Sequence, residues 1–423
     1  MKRNGVSVFA DQIHSGTIVR SDVEEDTFLF AYDTGCVNEG AVSLTMPVVS
    51  DQYDSMSFLH PIFEMNLPEG ILRQKLELMF SKAVRDFDAL NLLEIVGSSQ
   101  IGRLRYALEG KPLQSVPTED IENILTYNGT EDLFRDLLER FAVYSGISGM
   151  QPKVLVRDTP RLDRLTDRGA THIVKSFDPR EYPELAANEF FSTQAARYSA
   201  LPTAEVSLSG NRSMLVVERF DRTEDGKYLG FEDFCVLSGK RSAGRYSGSY
   251  EELAERVAIF VSPENHPSAM RQLFGTVALS ATIKNGDAHL KNFGILYDSP
   301  GVNVRLAPVY DMVSTVAYAP KDTLALDLNG SKRYPSRKEL IQFARQSCGL
   351  QNKIAETILA KIAEGVELAI REMNVYAKTH SDFHPTAVYL SKVFTSGVEN
   401  LADDGGDGAS GGASGGPSRP EMR

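Results

Sequence analysis

The chain has 423 residues, of which 42% are hydrophobic and 24% are charged, values typical of a soluble globular protein with more than one packed core. The net charge of -12 argues against nucleic-acid binding over the whole surface, because neutralising phosphates requires clustered lysine and arginine. Three widely separated cysteines indicate neither a disulfide framework nor a zinc site. The sequence has no apolar stretch typical of a signal peptide or a membrane span, so we predict a cytoplasmic protein with no membrane partner.

Residues 1–140 are predicted to form a mixed domain in which strands precede helices. The short β-branched and aromatic segments VSVFA, GTIV, TFLFAY and VSLTMPVV are separated by turn residues, which is typical of strands. Apolar residues at helical spacing then predict helices in ILRQKLELMFSKAV, from Ile71, and in DLFRDLLERFAVY, from Asp132.

Residues 141–235 are predicted to form a β-rich lobe with one helix. The lobe begins with the loop SGISGMQPK, which exposes backbone N–H groups that can bind phosphate oxygens, although it contains no Walker motif. THIVKSF places Lys175 in an otherwise apolar strand, where it either reaches the surface or pairs with an acid. Glu189, on the helix PELAANEFF, is the candidate partner, as in the strand-lysine to helix-glutamate pair of protein kinases.

The end of this lobe is the segment SMLVVERFDR, residues 213–222. An apolar strand that ends in charged residues suits a connection between lobes. The backbone at Glu218 and Phe220 would then be placed to bind the edge of an adenine ring.

Residues 236–400 are predicted to form a helical lobe, and residues 401–423 a disordered Gly/Ser-rich tail. The loop LSGKRSAGRYSGS carries Lys240, Arg241 and Arg245, which either bind an anionic substrate or form a solvated surface. The remaining segments of the lobe have the apolar periodicity of core-facing helices.

One stretch of this lobe, IKNGDAHLKNFGILYD, places polar side chains directly before a predicted strand. Phosphoryl transfer requires a group that orients the attacking hydroxyl and oxygen ligands for Mg²⁺. Asp287 can supply the first. Asn292 and Asp311, the latter in VRLAPVYDMVS, can supply the second if FGIL and VRLA form a hairpin. Taken singly, each residue also fits a turn or a helix cap.

The order of motifs along the chain is specific: ISGMQPKVLV, THIVKSF, the NE of LAANEF, LVVERFDR, NGDAHLKNFGIL and LAPVYDMVST, preceded by FEMNLPEGILRQKL and NLLEIVGSSQIGRLRY. On these motifs the chain, over about residues 5–395, resembles the HipA family of bacterial serine/threonine kinases, the toxins of toxin–antitoxin pairs. The resemblance implies an α+β, bilobal protein-kinase-like fold with a β-rich N-lobe and an all-helical C-lobe, preceded by a mixed β/α N-terminal domain.

The resemblance also implies ATP and Mg²⁺ as cofactors and a role for individual residues. Asp287 would be the catalytic base, and Asn292 and Asp311 the ligands of Mg²⁺. Glu189 would form a structural ion pair with Lys175. The nucleotide would contact the phosphate loop, the strand lysine, the lobe connection and the catalytic loop through Ser148, Gly149, Met150, Gln151, Lys153, Lys175, Glu218, Phe220 and His289.

Family members phosphorylate a seryl or threonyl hydroxyl, with aminoacyl-tRNA synthetases among their targets. They are silenced by autophosphorylation of a serine in the phosphate loop, which ejects that loop. Many members carry this serine four positions before the equivalent of Met150, where this chain has Gly146, so Ser145 and Ser148 are both candidates. The resemblance further implies a HipB-like helix-turn-helix antitoxin, through which an acidic toxin would reach DNA.

Two other functions stay open on the sequence alone. The Asp-before-His order of the catalytic stretch also occurs in lipid and small-molecule kinases, so a small-molecule kinase is one alternative. A nucleotide-binding pseudokinase that serves only as a co-repressor is the other. The presence of Asp287, Asn292 and Asp311 argues against the pseudokinase.

Overall fold

A computed structural model describes residues 5–24, 26–81, 87–159 and 169–402 of the chain. The predicted tail beyond residue 402 lies outside the described residues, as do the last residues of the predicted helix that begins at Ile71. No helix within the described residues is long and apolar enough to cross a membrane.

The N-terminal part forms an antiparallel sheet in the order β4-β3-β2-β1-β5. Its strands are β1 (Val6–Ala10), β2 (Ile13–Arg20), β3 (Thr27–Tyr32), β4 (Tyr53–Met56) and β5 (Leu104–Leu108), and its helices are α1 (Pro61–Glu64), α2 (Gly70–Phe80) and α3 (Ala89–Val96). The predicted strand VSLTMPVV is wrong, since this segment forms only an isolated bridge between Ser43 and Met46. Pro47 has no N–H for a ladder, and the backbone N–H of Leu44 donates to a side chain elsewhere in the chain.

The second sheet has the order β6-β7-β8-β10-β9. Its elements are β6 (Thr118–Glu119), α4 (Ile121–Leu125), α5 (Leu133–Phe141), β7 (Lys153–Asp158), β8 (His172–Ser176), α6 (Leu185–Tyr198), β9 (Val206–Leu208) and β10 (Met214–Glu218). β6 pairs with β7 in parallel, so this sheet takes an edge strand from a segment that precedes the predicted lobe boundary at residue 141.

The C-terminal lobe is mostly helical but also contains a three-stranded antiparallel sheet, so the prediction of an all-helical lobe is corrected in this respect. The elements are β11 (Gly230–Asp233), α7 (Phe234–Leu237), α8 (Tyr250–Phe260), α9 (His266–Thr282), β12 (Gly294–Tyr297), β13 (Arg305–Leu306), α10 (Arg337–Gln346), α11 (Asn352–Thr379) and α12 (His384–Ala402). The predicted hairpin of FGIL and VRLA is present as β12 and β13. Otherwise the architecture agrees with the predicted fold class.

Two large hydrophobic cores hold these parts together, and each contains described residues from more than one of the predicted domains. The first joins the N-terminal sheet and α3 to the second sheet, with Val8, Leu93, Phe141 and Val154 all fully buried. The second joins α6 to the helices of the C-terminal lobe. The β-rich lobe therefore shares its interior with the N-terminal domain, while its one long helix packs on the opposite lobe.

Polar contacts fix the N-terminal domain against the rest of the chain. Glu232, fully buried on β11, accepts hydrogen bonds from Ser43 Oγ at 2.6 Å, the Leu44 backbone N–H at 2.8 Å and Tyr297 OH at 2.9 Å. At the connection between the lobes, Asp221 accepts from the Gly102 backbone N–H at 2.5 Å. The N-terminal domain thus contacts both the C-terminal lobe and the segment that links the lobes.

The Glu232 contact makes stability depend on pH. Burial raises the pKa of Glu232 from 4.5 to about 7, so the folded chain binds this proton more tightly than the unfolded chain. The free energy of unfolding should therefore fall as pH rises from about 4.5 to 7, by at most about 3 kcal/mol. Glu232→Gln, which carries no such proton, should gain stability relative to wild type between pH 5 and pH 8 in denaturant titrations. If the free energy of unfolding changed with pH in the same way for both proteins, the prediction would be contradicted. Glu264→Gln, a substitution of an exposed glutamate, is the control.

Candidate active site

A cavity between the two lobes collects most of the residues that the sequence analysis singled out. It lies between the phosphate loop (residues 145–153), the face of the second sheet and the catalytic loop (residues 283–292). Of the predicted residues it is lined by Ser148, Gly149, Met150, Gln151, Lys153, Lys175, Glu189, Phe220, Asp287, His289, Asn292 and Asp311. Ser145 and Glu218 are not among the lining residues.

Lys175 is the central charge of the cavity. Strand alternation turns Val174 into the core and Lys175 towards the cavity, where the lysine is only 5% exposed. Its Nζ lies 2.5 Å from Glu189 Oε1 and also contacts Asp311 Oδ1, so one cation is shared by a carboxylate from α6 and one from the C-terminal lobe. A buried ammonium needs such partners to keep its charge.

The shared lysine sets the ionisation of both carboxylates. Burial alone raises the pKa of Asp311, but the charges of Lys175 and Lys153 hold it well below its usual value, so Asp311 is ionised. Burial raises the pKa of Glu189 to about 7, against the effect of Lys175. Lys153, the β7 neighbour of Lys175, has its pKa lowered by burial.

Asp311 is held in place by its backbone and by the segment that follows it. Its φ of 58° is in the left-handed region, which is uncommon for residues other than glycine. Asn188 on α6 donates from Nδ2 to the Ser314 carbonyl at 2.9 Å and accepts from the Ser314 N–H at 3.0 Å. α6 therefore fixes both the lysine, through Glu189, and the backbone beyond Asp311.

The catalytic loop begins where α9 ends and presents Asp287 to the cavity. Asn292 donates from Nδ2 to the Asp287 carbonyl at 2.9 Å, which leaves its amide oxygen as an acceptor. Tyr246 OH donates to Asp287 Oδ1 at 2.6 Å, and His289 Nε2 lies 3.8 Å from the same oxygen. Burial lowers the pKa of His289, which favours the neutral imidazole.

The donor set of the cavity fits a nucleotide with Mg²⁺. Buried polar atoms normally have partners, yet Gln151 Oε1, Glu189 Oε2 and His289 Nδ1 have none among the described residues. Within the same residues no cluster of three or more His, Cys, Asp or Glu could hold a metal by itself. Asn292 and Asp311 together offer two oxygen ligands, which suits Mg²⁺ because this ion keeps waters and binds substrate phosphates.

The phosphate loop is held by a glutamate of the N-terminal domain, Glu69. Its carboxylate accepts from Lys291 Nζ at 2.5 Å and Arg245 Nη1 at 2.9 Å, and it also contacts Ser148 Oγ. Burial alone raises the pKa of Glu69, but the Lys291 and Arg245 charges hold it well below its usual value. Gly70, with a φ of 54°, follows directly, and a Cβ there would overlap the carbonyl of Met150.

The two candidate serines differ in their surroundings. Ser145 is fully buried, and its hydroxyl donates to the Phe141 carbonyl at 2.7 Å and accepts from the Leu155 N–H at 2.8 Å. Ser148 is partly exposed and faces the cavity. Gly146 lies against Gln100 of the N-terminal domain, and a Cβ at this position would overlap the Gln100 side chain. A serine at this position would therefore require the Gln100 side chain to move.

The lobe connection contributes an aromatic wall. The Phe220 ring lies 5.5 Å from that of Tyr310 and 5.9 Å from that of Phe231, measured between centroids. Glu218 has an exposed side chain, and its backbone N–H donates to the Glu205 carbonyl at 2.9 Å. Of the two predicted adenine contacts, only Phe220 therefore reaches the cavity with its side chain.

The basic loop of residues 237–249 is paired rather than solvated. Arg241 lies 3.3 Å from Glu64 and Arg245 is paired with Glu69, both glutamates of the N-terminal domain. Lys240 donates to the Ser247 carbonyl at 2.8 Å. Sequence reasoning missed Glu69 and Tyr246, because each reaches the site only through contacts between segments far apart in the chain.

Two family models match the chain, one in its N-terminal part and one in its C-terminal part. Residues 6–107 match the family described as HipA N-terminal domain, and residues 145–370 match the HipA-like C-terminal domain. "Putative kinase Y4mE" of Sinorhizobium fredii is 28% identical over 316 residues, 68% of this chain and 72% of that protein. A "Putative kinase" of Haemophilus influenzae is 30% identical over 185 residues, 41% of this chain and 53% of that protein.

Among solved structures, the chain is similar to HipA of Shewanella oneidensis MR-1, which was solved in complex with HipB and its operator DNA. The TM-score is 0.65 at 19% sequence identity, and the match covers 94% of this chain and 97% of that one. At this identity the similarity establishes the fold.

Removing the Glu69 charge should loosen the phosphate loop. In Glu69→Gln, Lys291 and Arg245 lose their shared anion, and losing one partner of a buried ion pair costs on the order of 3 kcal/mol. Hydrogen–deuterium exchange of the backbone amides in residues 146–151 should become at least about tenfold faster. Glu64→Gln removes a glutamate of the same domain that pairs with Arg241 of the same basic loop, and it should leave this exchange unchanged. Equal exchange in both variants would contradict the assigned role of Glu69.

Proposed function

Because the chain belongs to the HipA family, we propose that it is a kinase that transfers the γ-phosphoryl group of ATP, with Mg²⁺, to a serine or threonine hydroxyl of a protein. The observation that carries this proposal is the convergence of Asp287, Asn292, Asp311 and Lys175 on one cavity between the lobes. These are the groups that phosphoryl transfer requires, and they come from three separate segments.

In this proposal Asp287 orients the attacking hydroxyl and accepts its proton. Its carboxylate lies at the end of the cavity that faces the basic loop, and Asn292 holds the loop backbone through the Asp287 carbonyl. A positioned base of this kind typically contributes about 10²–10⁴-fold to the rate.

The phosphates of ATP would lie between the phosphate loop and Lys175. Asn292 and Asp311 would hold Mg²⁺, which offsets the charge that develops on the transferring group. Lys153 and Lys175 supply two further positive charges from neighbouring strands, and Lys175 contacts Asp311 directly. Phe220 and the backbone near Glu218 would bind the adenine.

Autoregulation in this proposal involves Ser148 rather than Ser145. The hydroxyl of Ser148 faces the cavity, whereas that of Ser145 is buried and makes two hydrogen bonds. Modification of Ser145 would require the core under β7 to open. Ser148 Oγ contacts both the Glu69 carboxylate and Lys291 Nζ, so a phosphate there would replace the bond to Glu69 with repulsion and would rearrange the contacts that hold the loop.

We further propose that the chain is the toxin of a pair with a HipB-like helix-turn-helix antitoxin. The similar Shewanella protein was solved with HipB and operator DNA. A net charge of -12 favours DNA contact through a basic partner over direct binding. The protein substrate in this proposal is a translation-related protein such as an aminoacyl-tRNA synthetase, as the family resemblance implies.

Asp287→Asn should abolish transfer while ATP still binds. The amide cannot accept the hydroxyl proton, so the rate of phosphorylation should fall by at least about 10²-fold. The measurement is intact-mass and peptide mass spectrometry after incubation with ATP and Mg²⁺. Wild type should carry phosphate on Ser148. Asp287→Asn should carry none, and Ser148→Ala should carry none on the peptide that contains residue 148. An active Asp287→Asn protein would remove Asp287 as the base. Wild type that binds ATP but transfers no phosphate to itself or to a protein would favour the co-repressor.

Asp311→Asn should weaken ATP binding only when Mg²⁺ is present. The substitution removes a charged ligand of the ion, while Lys175 keeps Glu189 as partner. We expect calorimetry to give an at least roughly tenfold higher Kd for ATP with Mg²⁺, and a Kd within about threefold of wild type in EDTA. The surface variant Asp298→Asn is the control. An equal loss with and without Mg²⁺ would count against metal binding by Asp311.

A further inference from the structure

One oxygen of the catalytic carboxylate already has a partner that no motif accounts for. Tyr246 OH donates to Asp287 Oδ1 at 2.6 Å, and the Tyr246 ring packs edge-on against His289 with 4.9 Å between centroids. Oδ2 of Asp287 accepts no hydrogen bond from any residue that the structure describes. The two oxygens of the base are therefore in different surroundings.

The segment that carries Tyr246 is fixed on several sides. The Leu290 N–H of the catalytic loop donates to the Arg245 carbonyl at 3.1 Å, and Lys332 Nζ donates to the Tyr246 carbonyl at 3.3 Å. The Arg245 side chain is held by Glu69 at 2.9 Å. Because the segment is anchored in this way, we expect the Tyr246 hydroxyl to stay bonded to Asp287 when a substrate binds.

We infer that Tyr246 is a positioning residue for the catalytic base. Its hydroxyl fixes Oδ1, and this orientation presents Oδ2 to the substrate hydroxyl. The inference rests on the proposed function. In the transfer step the substrate oxygen forms a bond to the γ-phosphorus while the bond from that phosphorus to the β–γ bridging oxygen breaks. The substrate proton passes to Oδ2, ADP leaves, and Tyr246 keeps its own proton throughout.

The arrangement also limits where the substrate approaches. Oδ1 lies between Tyr246 and His289 Nε2, which is 3.8 Å away, so the side of the carboxylate facing these rings is closed. The acceptor hydroxyl must then approach from the cavity side, where the phosphate loop and Lys175 lie. In-line transfer needs the hydroxyl on that side.

The test is Tyr246→Phe, which removes one oxygen and keeps the ring against His289. The probes are ATP with Mg²⁺ as donor, and the chain's own serine and water as acceptors. We expect kcat for both acceptors to fall by about tenfold or more, with KM for ATP within about twofold of wild type, because orientation of the base is lost and nucleotide contacts are kept. Tyr127→Phe, which removes a hydroxyl bound to the Glu131 carbonyl at 2.9 Å and does not line the cavity, should match wild type.

A double-mutant cycle separates this role from a structural one. In an Asp287→Asn background, whose residual rate is followed at high enzyme concentration and long incubation, Tyr246→Phe should cause no further loss, because the hydroxyl acts only through Asp287. A further loss of activity when Tyr246→Phe is added to Asp287→Asn would overturn the inference. So would a kcat of Tyr246→Phe alone that equals or exceeds that of wild type. A higher kcat would mean that the Tyr246 hydroxyl competes with the substrate. Full activity of Asp287→Asn alone would remove Asp287 as the base and this inference with it, whereas the proposed function itself fails only if wild type binds ATP and transfers no phosphate.

Discussion

The buried charge of Lys175 is the constraint on which the cavity depends. An ammonium that is 5% exposed must be paired, and its two carboxylates come from α6 and from the segment after β13. Because α6 packs on the C-terminal lobe while β8 belongs to the second sheet, the triad joins two separate cores. Removing Lys175 would leave both carboxylates without their shared cation, so this contact between the lobes is electrostatic as well as a matter of packing.

The N-terminal domain completes the same arrangement from outside the kinase-like fold. Glu69 bridges the phosphate loop, the catalytic loop and the basic loop, and Glu232 anchors the domain to the C-terminal lobe. Gln100 fills the space beside Gly146. The N-terminal domain therefore contacts the phosphate loop, the catalytic loop and the basic loop, so its position is coupled to the geometry of the site.

Sequence reasoning recovered what is encoded locally. Periodic helices such as α6, α9 and α11 and the apolar strands of the second sheet were predicted, and the polar residues singled out in the short motifs, Asp287, Asn292 and Asp311, line one cavity. The segment after Ala41 was predicted as a strand because its apolar residues suit one, yet Ser43 and Leu44 bind a buried glutamate on a distant strand. The contacts of Glu69 and Tyr246 with the site were not predicted for the same reason. The Glu69–Lys291 pair spans 222 residues, and the sequence near either residue does not indicate its partner.

The parallel pairing of β6 with β7 bears on how the polypeptide can be divided. A chain cut at residue 141 would lose the edge strand and also α5, whose Phe134, Leu137 and Phe141 pack into the core beneath β7. The exposed apolar surface and the unpaired strand edge would both favour aggregation. The smallest piece that can fold and keep its phosphate loop is therefore larger than the catalytic motifs suggest, and a gene that encoded the kinase lobes alone would need a second polypeptide to cover that face.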